Sequence, residues 1–199
     1  MPILTTAARA LAVVSVAAVL FACAQSPTGP TYRYEPPTRQ QDLRNQRQVA
    51  ASYDDTWTGL IDHVARTSFT IDQFEKESGL LTLTYGQSDI SRFVNCGNWY
   101  EDGQSQLYAA RSDQGLDLDG RMNIRVQERG PSLTDVRIDS LYVLRNNSGQ
   151  VWQFMTNDRA TVDLGTTGAA GTLPTRTCQS THEAERLILT GIEAVASTR

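Results

Sequence analysis

Two long runs of alternating apolar and polar residues constrain the fold of this chain more than any other feature. The apolar members are Met122, Ile124 and Val126 in the first run, and Val136, Ile138, Tyr142 and Leu144 in the second. A period of two is typical of strands that bury one face. The connection at Gly130-Pro131 is too short for a parallel crossover, so the pattern predicts an antiparallel pair.

Shorter segments extend this pattern on both sides. Phe69 and Ile71, the turn at Glu77-Ser78-Gly79, and the alternating Leu81, Leu83 and Tyr85 predict a hairpin. Further extended pieces are expected around Arg92–Cys96 and Gln106–Ala109, with a turn-rich stretch at 112–120. After a tight turn at Asn146–Gly149, Val151–Met155 is expected to form another strand, and the glycine-rich segment Gly165–Thr175 is expected to be a mobile loop.

Two amphipathic helices flank the strands. Ser52-x-x-Asp55 and Ser180-x-x-Glu183 have the spacing of capping boxes, with aspartate replacing the more usual glutamate in the first. The apolar stripes that follow are Trp57, Leu60, Ile61, Val64 and Ala65 in the first helix, and Ala184, Leu187, Ile188, Ile192, Val195 and Ala196 in the second, which Gly191 interrupts. His63 lies off its stripe and is expected to be solvated. The predicted fold class is α+β: a curved antiparallel sheet of about six strands with an N-terminal and a C-terminal helix packed on it.

Cys23 follows an N-terminal segment that is typical of secretion. After the basic Arg9, the apolar run Ala10–Ala22 is shorter than the about 20 residues that span a bilayer, which favours a signal peptide. Leu20-Phe21-Ala22-Cys23 resembles the lipobox read by the lipoprotein signal peptidase. This resemblance implies a signal peptide at 1–22 and a lipid on Cys23; the alternative is an ordinary secretory signal cut at Ala22-Cys23-Ala24.

The remaining cysteines, Cys96 and Cys178, form an even pair in a chain predicted to be exported. Such a pair favours a disulfide, because disulfides form in oxidising compartments. Two free thiols are the alternative. Metal ligation is disfavoured, since neither His63 nor His182 stands at ligand spacing from a cysteine or the other histidine.

Residues 23–48 are polar and poor in aliphatic side chains, so they are expected to be a flexible tether between the lipid and a single domain at 49–199. Tyr32 and Tyr34 are the aromatic side chains of this segment, and Arg39, Arg44 and Arg47 lie in its basic part. A plain spacer and a partner-binding arm both agree with this composition.

The stretch from Tyr53 to Tyr85 carries a family resemblance. A tryptophan-bearing helix at Tyr53–Ile61, then Phe69-Thr70-Ile71, then Glu75–Leu81 resembles the domains of lipoprotein component C of the β-barrel assembly machinery and other small outer-membrane lipoproteins with the same unit. The resemblance covers about 33 residues. It implies a helix-grip fold, in which a curved sheet grips a long C-terminal helix, and it implies no catalytic residue.

Charge and composition exclude several functions. One of the 18 basic and none of the 22 acidic residues precede Cys23, so the chain from Cys23 onward has a net charge of −5, which disfavours nucleic-acid binding. The acidic candidates Asp102, Asp117 and Asp119 lie in turn-like polar surroundings, without a serine, cysteine or histidine arranged for catalysis. We therefore expect neither an enzyme nor a bound cofactor.

The function expected from these features is that of a non-enzymatic envelope lipoprotein. Anchored in the outer membrane with its domain in the periplasm, it would be a structural or assembly component that contacts other envelope proteins. Ala24 agrees with this destination, since aspartate at that place typically retains lipoproteins in the inner membrane of enteric bacteria. The expected contact residues are Tyr32, Tyr34, Arg39, Arg44, Arg47, Trp99 and Tyr100, because arginine and aromatic residues often dominate interfaces. For Trp99, a place in the core is the alternative. The alternative is a periplasmic binding module for a small apolar ligand held between sheet and C-terminal helix.

Overall fold

From α1 to α2 the elements follow the order expected from the sequence, but there are more strands than predicted, and two of them precede α1. A computed structural model describes residues 32–87, 90–110, 115–147, 149–162 and 175–197, and Cys23 and most of the glycine-rich segment lie outside these ranges. The described strands are β1 (Tyr32–Glu35), β2 (Gln46–Val49), β3 (Thr70–Glu75), β4 (Leu80–Gln87), β5 (Val94–Asn95), β6 (Asn98–Glu101), β7 (Gln104–Leu107), β8 (Asp117–Gly130), β9 (Leu133–Arg145), β10 (Val151–Met155), β11 (Arg159–Val162) and β12 (Arg176–Ser180). The helices are α1 (Tyr53–Val64) and α2 (Glu183–Ser197), and neither they nor any other described helix is long and apolar enough to cross a membrane.

The largest sheet has six antiparallel strands in the order β10-β9-β8-β4-β3, with β2 paired to the other half of β9. The predicted hairpin β3–β4 and the long pair β8–β9 are both present, as is the strand β10. Asp117 and Asp119 belong to β8 rather than to a turn, and Asp119 forms a surface ion pair with Arg145 at 3.2 Å. The sheet is therefore the antiparallel meander that the alternation predicts.

One face of this sheet is buried and the other is polar. The buried face carries Met122 and Ile138, both 0 % exposed, while the intervening residues of β8 lie on the solvent side. Both helices pack on the central strands: α1 contacts β8 and β9, and α2 contacts β2, β9 and α1. The core thus lies between the sheet and the helix pair, as expected for an α+β fold.

The two helix starts differ in their capping. Ser52 accepts a hydrogen bond from the amide of Asp55 at 3.2 Å, which confirms the predicted cap of α1. At α2, however, the hydroxyl of Ser180 donates to Tyr142, and Thr181 accepts from the amide of Glu183 instead. The predicted second capping box is wrong because its serine is drawn into the core.

His63 is part of the contact between the two helices, which corrects the expectation that it is solvated. Its Nε2 lies 2.8 Å from the carbonyl oxygen of Leu187 in α2. A Cβ added to Gly191 would lie 2.2 Å from the His63 ring. Gly191 interrupts the apolar stripe because the imidazole occupies the space of a side chain.

Two small sheets, β1-β6-β7 and β11-β12-β5, accompany the large one, so the prediction of one sheet of about six strands is too low. Both β1 and β2 come from the segment that the sequence predicts to be a tether. β1 pairs with β6 and β2 pairs with β9. The folded part of the chain therefore includes residues from Tyr32 onward, and the predicted boundary at 49 is too late.

Candidate functional site

The segment between β1 and β2 is held against the rest of the fold by long-range hydrogen bonds. The amide of Leu43 donates to the Asn157 side-chain oxygen at 2.8 Å, and the Asn157 amide group donates back to the Leu43 carbonyl at 3.2 Å. Gln179 in β12 donates to the carbonyl of Thr38 at 2.8 Å. These bonds turn residues 36–45 into a wall of the domain.

This wall encloses a polar cavity of about 230 Å³. The facing side is the turn between β10 and β11, and the floor is the end of β12 and the residue before α2. The lining residues are Arg39, Gln40, Asp42, Thr156, Asn157, Asp158, Arg159, Gln179, Ser180 and His182. Every lining side chain is polar, which makes this cavity the best-defined candidate site for a polar ligand.

His182 is the residue that joins β12 to α2, and its backbone is unusual. Its φ of 61° lies in the left-handed region, where histidine occurs more often than most residues. Its Nε2 lies 2.9 Å from the Thr156 carbonyl, whereas its Nδ1 is buried without a partner. A carbonyl only accepts, so Nε2 carries a proton.

A buried chain of hydrogen bonds leads from the cavity floor into the core. The hydroxyl of Ser180 accepts from the His182 amide at 2.8 Å and donates to the Tyr142 hydroxyl at 2.8 Å. Tyr142 donates to the carboxylate of Glu185, 2.8 and 2.9 Å from its two oxygens, and Glu185 is 0 % exposed. Glu185 lies in the first turn of α2, where the helix dipole stabilises negative charge.

Burial in this cluster raises the pKa of two tyrosines. Desolvation is the main cause for Tyr142 and for the adjacent Tyr85, and the nearby Glu185 carboxylate adds to the rise in both. The cluster holds its polar groups in fixed positions, and the Ser180 hydroxyl points to a phenol rather than to a histidine ring. Among the described residues, no group of three or more His, Cys, Asp or Glu side chains could hold a metal ion.

The structure separates the predicted contact residues into two groups. Tyr34 is half-buried: its hydroxyl accepts from the Thr177 amide at 2.9 Å and donates to the Cys96 carbonyl at 2.9 Å. Trp99 is only 5 % exposed, which agrees with the alternative that it belongs to the core. These two side chains belong to the interior of the small sheets.

The other predicted contact residues lie nearer the surface. The hydroxyl of Tyr100 donates a hydrogen bond to Glu35 at 2.7 Å, and this bond lowers the pKa of the Glu35 carboxyl. Arg47 forms an ion pair with Glu193 at 3.0 Å. Three further residues are exposed: Tyr32, Arg39 and Arg44. Only Arg39 of all the predicted contact residues lines the cavity.

An arginine within an aromatic cluster was missed by the sequence reasoning. The guanidinium carbon of Arg176 lies 4.5 Å from the ring centre of Tyr34, 4.8 Å from that of Trp99 and 5.1 Å from that of Tyr108. Arg176 is 3 % exposed, so these cation–π contacts are desolvated and strong. They hold the two small sheets together.

The predicted cysteine pair lies beside this cluster. Cys96 and Cys178 are paired as a disulfide in the structure, and both residues are 0 % exposed. Cys178 lies in β12, two residues before Ser180 of the cavity floor. The pair therefore supports the strand that builds that floor.

A second candidate surface lies at the other end of the large sheet. Among the described strands, the edge strand β3 pairs only with β4, and all six of its residues are exposed. Ile71 is 38 % and Phe74 54 % exposed, and the Phe74 ring lies 5.4 Å from that of the buried Trp57. We call the exposed side of β3, with Ile71 and Phe74, the β3 edge surface.

A β-bulge places these two apolar side chains on the same face. The register shifts between Ile71 and Gln73, so that Ile71 lies opposite Leu83 and Phe74 opposite Leu81. Both partners point into the core. Without the extra residue, Phe74 would point to the opposite face, since side chains alternate along a strand.

Comparison with known proteins adds no family to this description. No family model, curated protein or solved structure matches this chain. The fold and its two candidate surfaces define the molecule as an α+β domain of antiparallel sheets covered on one face by a pair of helices.

Proposed function

We propose that this protein is a non-enzymatic lipoprotein of the bacterial envelope, anchored in the outer membrane by a lipid on Cys23. In this proposal its domain lies in the periplasm and binds other envelope proteins. The lipobox-like segment and the bonded position of Cys96 and Cys178 support an exported, oxidising location. β1 begins nine residues after Cys23, and nine residues span at most about 30 Å, which keeps the domain near the membrane.

The β3 edge surface is the observation that carries the protein-binding part. An edge strand offers unpaired backbone donors and acceptors to an added strand, and apolar side chains beside it supply specificity. Phe74 is a large aromatic side chain that is more than half exposed yet rests on a buried tryptophan. Rigid aromatic anchors of this kind often dominate interface energies.

The chemistry of β3 also indicates the kind of partner. Asp72 is paired with Arg121 at 3.2 Å, so Glu75 is the acid of the strand that a partner could neutralise, and the bulge at Asp72 disfavours pairing between two copies of the chain. An added strand with alternate apolar residues over Ile71 and Phe74, and a basic residue near Glu75, would complement the surface. We therefore propose an extended segment of another protein as the occupant.

A helix-grip fold, in which the large sheet holds the C-terminal helix, is part of this proposal. α2 contacts β2 and β9 of the large sheet, and it packs beside α1 on the same layer. These contacts support a sheet that holds a C-terminal helix. The two additional sheets and the strand β1 would then be elaborations of that unit.

Binding of an apolar ligand is less well supported than binding of a protein. That alternative requires a cavity between the sheet and α2. Ile138 of the sheet and Ile188 and Ile192 of α2 are all 0 % exposed, so no water-sized void borders them. At these three positions the core leaves no space for an apolar ligand.

Photo-crosslinking in cells tests the partner surface. A photoreactive amino acid replaces Phe74 in the full-length protein, and the matched control carries it in place of Leu80. Leu80 is 42 % exposed in the neighbouring strand but lies on the opposite face. We expect one defined protein adduct from position 74 that the double variant Ile71→Lys, Glu75→Lys abolishes. Equal adducts from both positions, or none from position 74, would refute the proposal.

A separate experiment tests the anchor. In a Cys23→Ser variant we expect unlipidated precursor that no longer partitions into detergent, whereas Cys96→Ser should keep its lipid. Mass spectrometry of the N-terminal peptide measures directly whether the lipid is attached. If the Cys23→Ser protein has the membrane partitioning of the natural chain, the anchor is not a lipid on this cysteine.

A further inference from the structure

The polar cavity is lined by charged side chains of both signs. Arg39 and Asp42 stand on one wall, and Asp158 and Arg159 stand on the other. Within the residues that the structure describes, none of these four side chains takes part in an ion pair. Each wall thus offers one cation and one anion.

Two acidic side chains of the lining are open to a ligand. Asp42 and Asp158 are both exposed and both border the cavity. Because carboxylate oxygens accept hydrogen bonds, the two aspartates suit the three N–H donors of an ammonium group.

The positive left-handed φ of His182 is a second sign of a site. Backbone in this region is strained for a residue with a side chain, and such strain gathers at binding and active sites. Here it turns the chain so that the imidazole reaches the Thr156 carbonyl and borders the cavity. Ser180 of the cavity floor is also held in place, because its hydroxyl donates a hydrogen bond to Tyr142.

The size and lining of the cavity indicate a small polar ligand. Its volume of about 230 Å³ is many times the roughly 10–15 Å³ that one water needs, so a small molecule fits. The lining offers no apolar side chain to a hydrocarbon ligand. A small molecule with both a positive and a negative group meets these conditions.

We propose that this cavity binds a small zwitterion with an ammonium and a carboxylate group, a free amino acid or a dipeptide. The carboxylate is held by Arg39 and Arg159, because guanidinium groups match its geometry. The ammonium group is held by Asp42 and Asp158. The site lies away from the β3 edge surface and does not depend on the function proposed above.

Calorimetric titration of the full-length protein in detergent tests this assignment. The probes are L-alanine, L-alanyl-L-alanine and the uncharged N-acetyl-L-alanine amide, with inorganic phosphate and glucosamine as further comparisons. We expect saturable binding of L-alanine or its dipeptide and none of the uncharged compound. Arg39→Gln and Asp42→Asn should each weaken binding about tenfold or more, as expected for the loss of one charge-assisted hydrogen bond.

The matched control is Arg44→Gln, since Arg44 is an exposed arginine of the same segment that does not line the cavity. It should bind the dipeptide with unchanged affinity. A second variant, His182→Asn, keeps a residue that tolerates positive φ and should also weaken binding. Circular dichroism checks that each variant is folded.

Several results would overturn the assignment. The first is that neither zwitterion saturates the protein at millimolar concentration, and the second is that the uncharged compound binds with equal affinity. The third is that phosphate or glucosamine binds in preference to both zwitterions. The fourth is that Arg39→Gln binds the zwitterions with unchanged affinity. Because the titration contains no partner protein, its result is also independent of the crosslinking at Phe74.

Discussion

The buried hydrogen bond between Tyr142 and Glu185 allows a sharp test of how the core is stabilised. Both residues are 0 % exposed, and the phenol donates to the carboxylate while accepting from the Ser180 hydroxyl. Tyr142→Phe removes only the hydroxyl. The ring remains, together with its stacking on Phe154 at a centroid distance of 5.1 Å. The substitution therefore measures the polar contacts alone.

The expected loss follows from the two bonds. A hydrogen bond to a charged group contributes about 1.5–3 kcal/mol, and one between neutral groups about 1 kcal/mol. In the Tyr142→Phe variant the Glu185 carboxylate stays buried but loses its hydrogen-bond donor. The loss of unfolding free energy therefore lies near the upper part of this range. We expect the free energy of unfolding to fall by about 3 kcal/mol, and the melting temperature to fall by roughly 10 °C.

The chain contains a matched control for this experiment. Tyr100 also donates from its hydroxyl to a glutamate, Glu35, at 2.7 Å, but that carboxylate is at the surface. Because water replaces a lost partner there, Tyr100→Phe should change the unfolding free energy little. Urea unfolding followed by circular dichroism compares the two variants. Equal losses, or a loss below about 1 kcal/mol in Tyr142→Phe, would refute the argument from burial.

Three further predictions concern the helix contact, the cysteine pair and the buried tyrosines. Gly191→Ala should lower the melting temperature, because the new Cβ meets His63. In a His63→Ala background the same substitution should raise the melting temperature, because alanine has a higher helix propensity than glycine. A change of the same sign in both backgrounds would contradict this. Replacing Cys96 and Cys178, 82 residues apart, by alanine should cost about 4 kcal/mol in urea unfolding, and an unchanged midpoint would count against the bond. Burial raises the pKa of Tyr85 above 10.0, so stability should be full below about pH 10 and fall as the pH rises above it; a flat profile across that range would contradict the shift.

The elements of this fold could be predicted from the sequence where local patterns decide them. The alternation along β8 and β9, the hairpin β3–β4 and the cap at Ser52 depend on residues close together in the chain. The even number of cysteines beyond Cys23 predicted the pair that the structure brings together. These patterns determine the class of fold because each element must bury its own apolar face.

The candidate sites were decided by tertiary structure. The cavity wall depends on Leu43 meeting Asn157, 114 residues further along the chain, and no local pattern contains that contact. The β3 edge surface depends on a bulge that changes the face of Phe74. Glu185 resembles a solvated acid of a helix start and is buried only because Tyr142 lies opposite it. Periodicity reports which residues share a face, whereas a site is formed by polar groups that distant segments bring together, so the sequence determined the scaffold and long-range packing determined the sites.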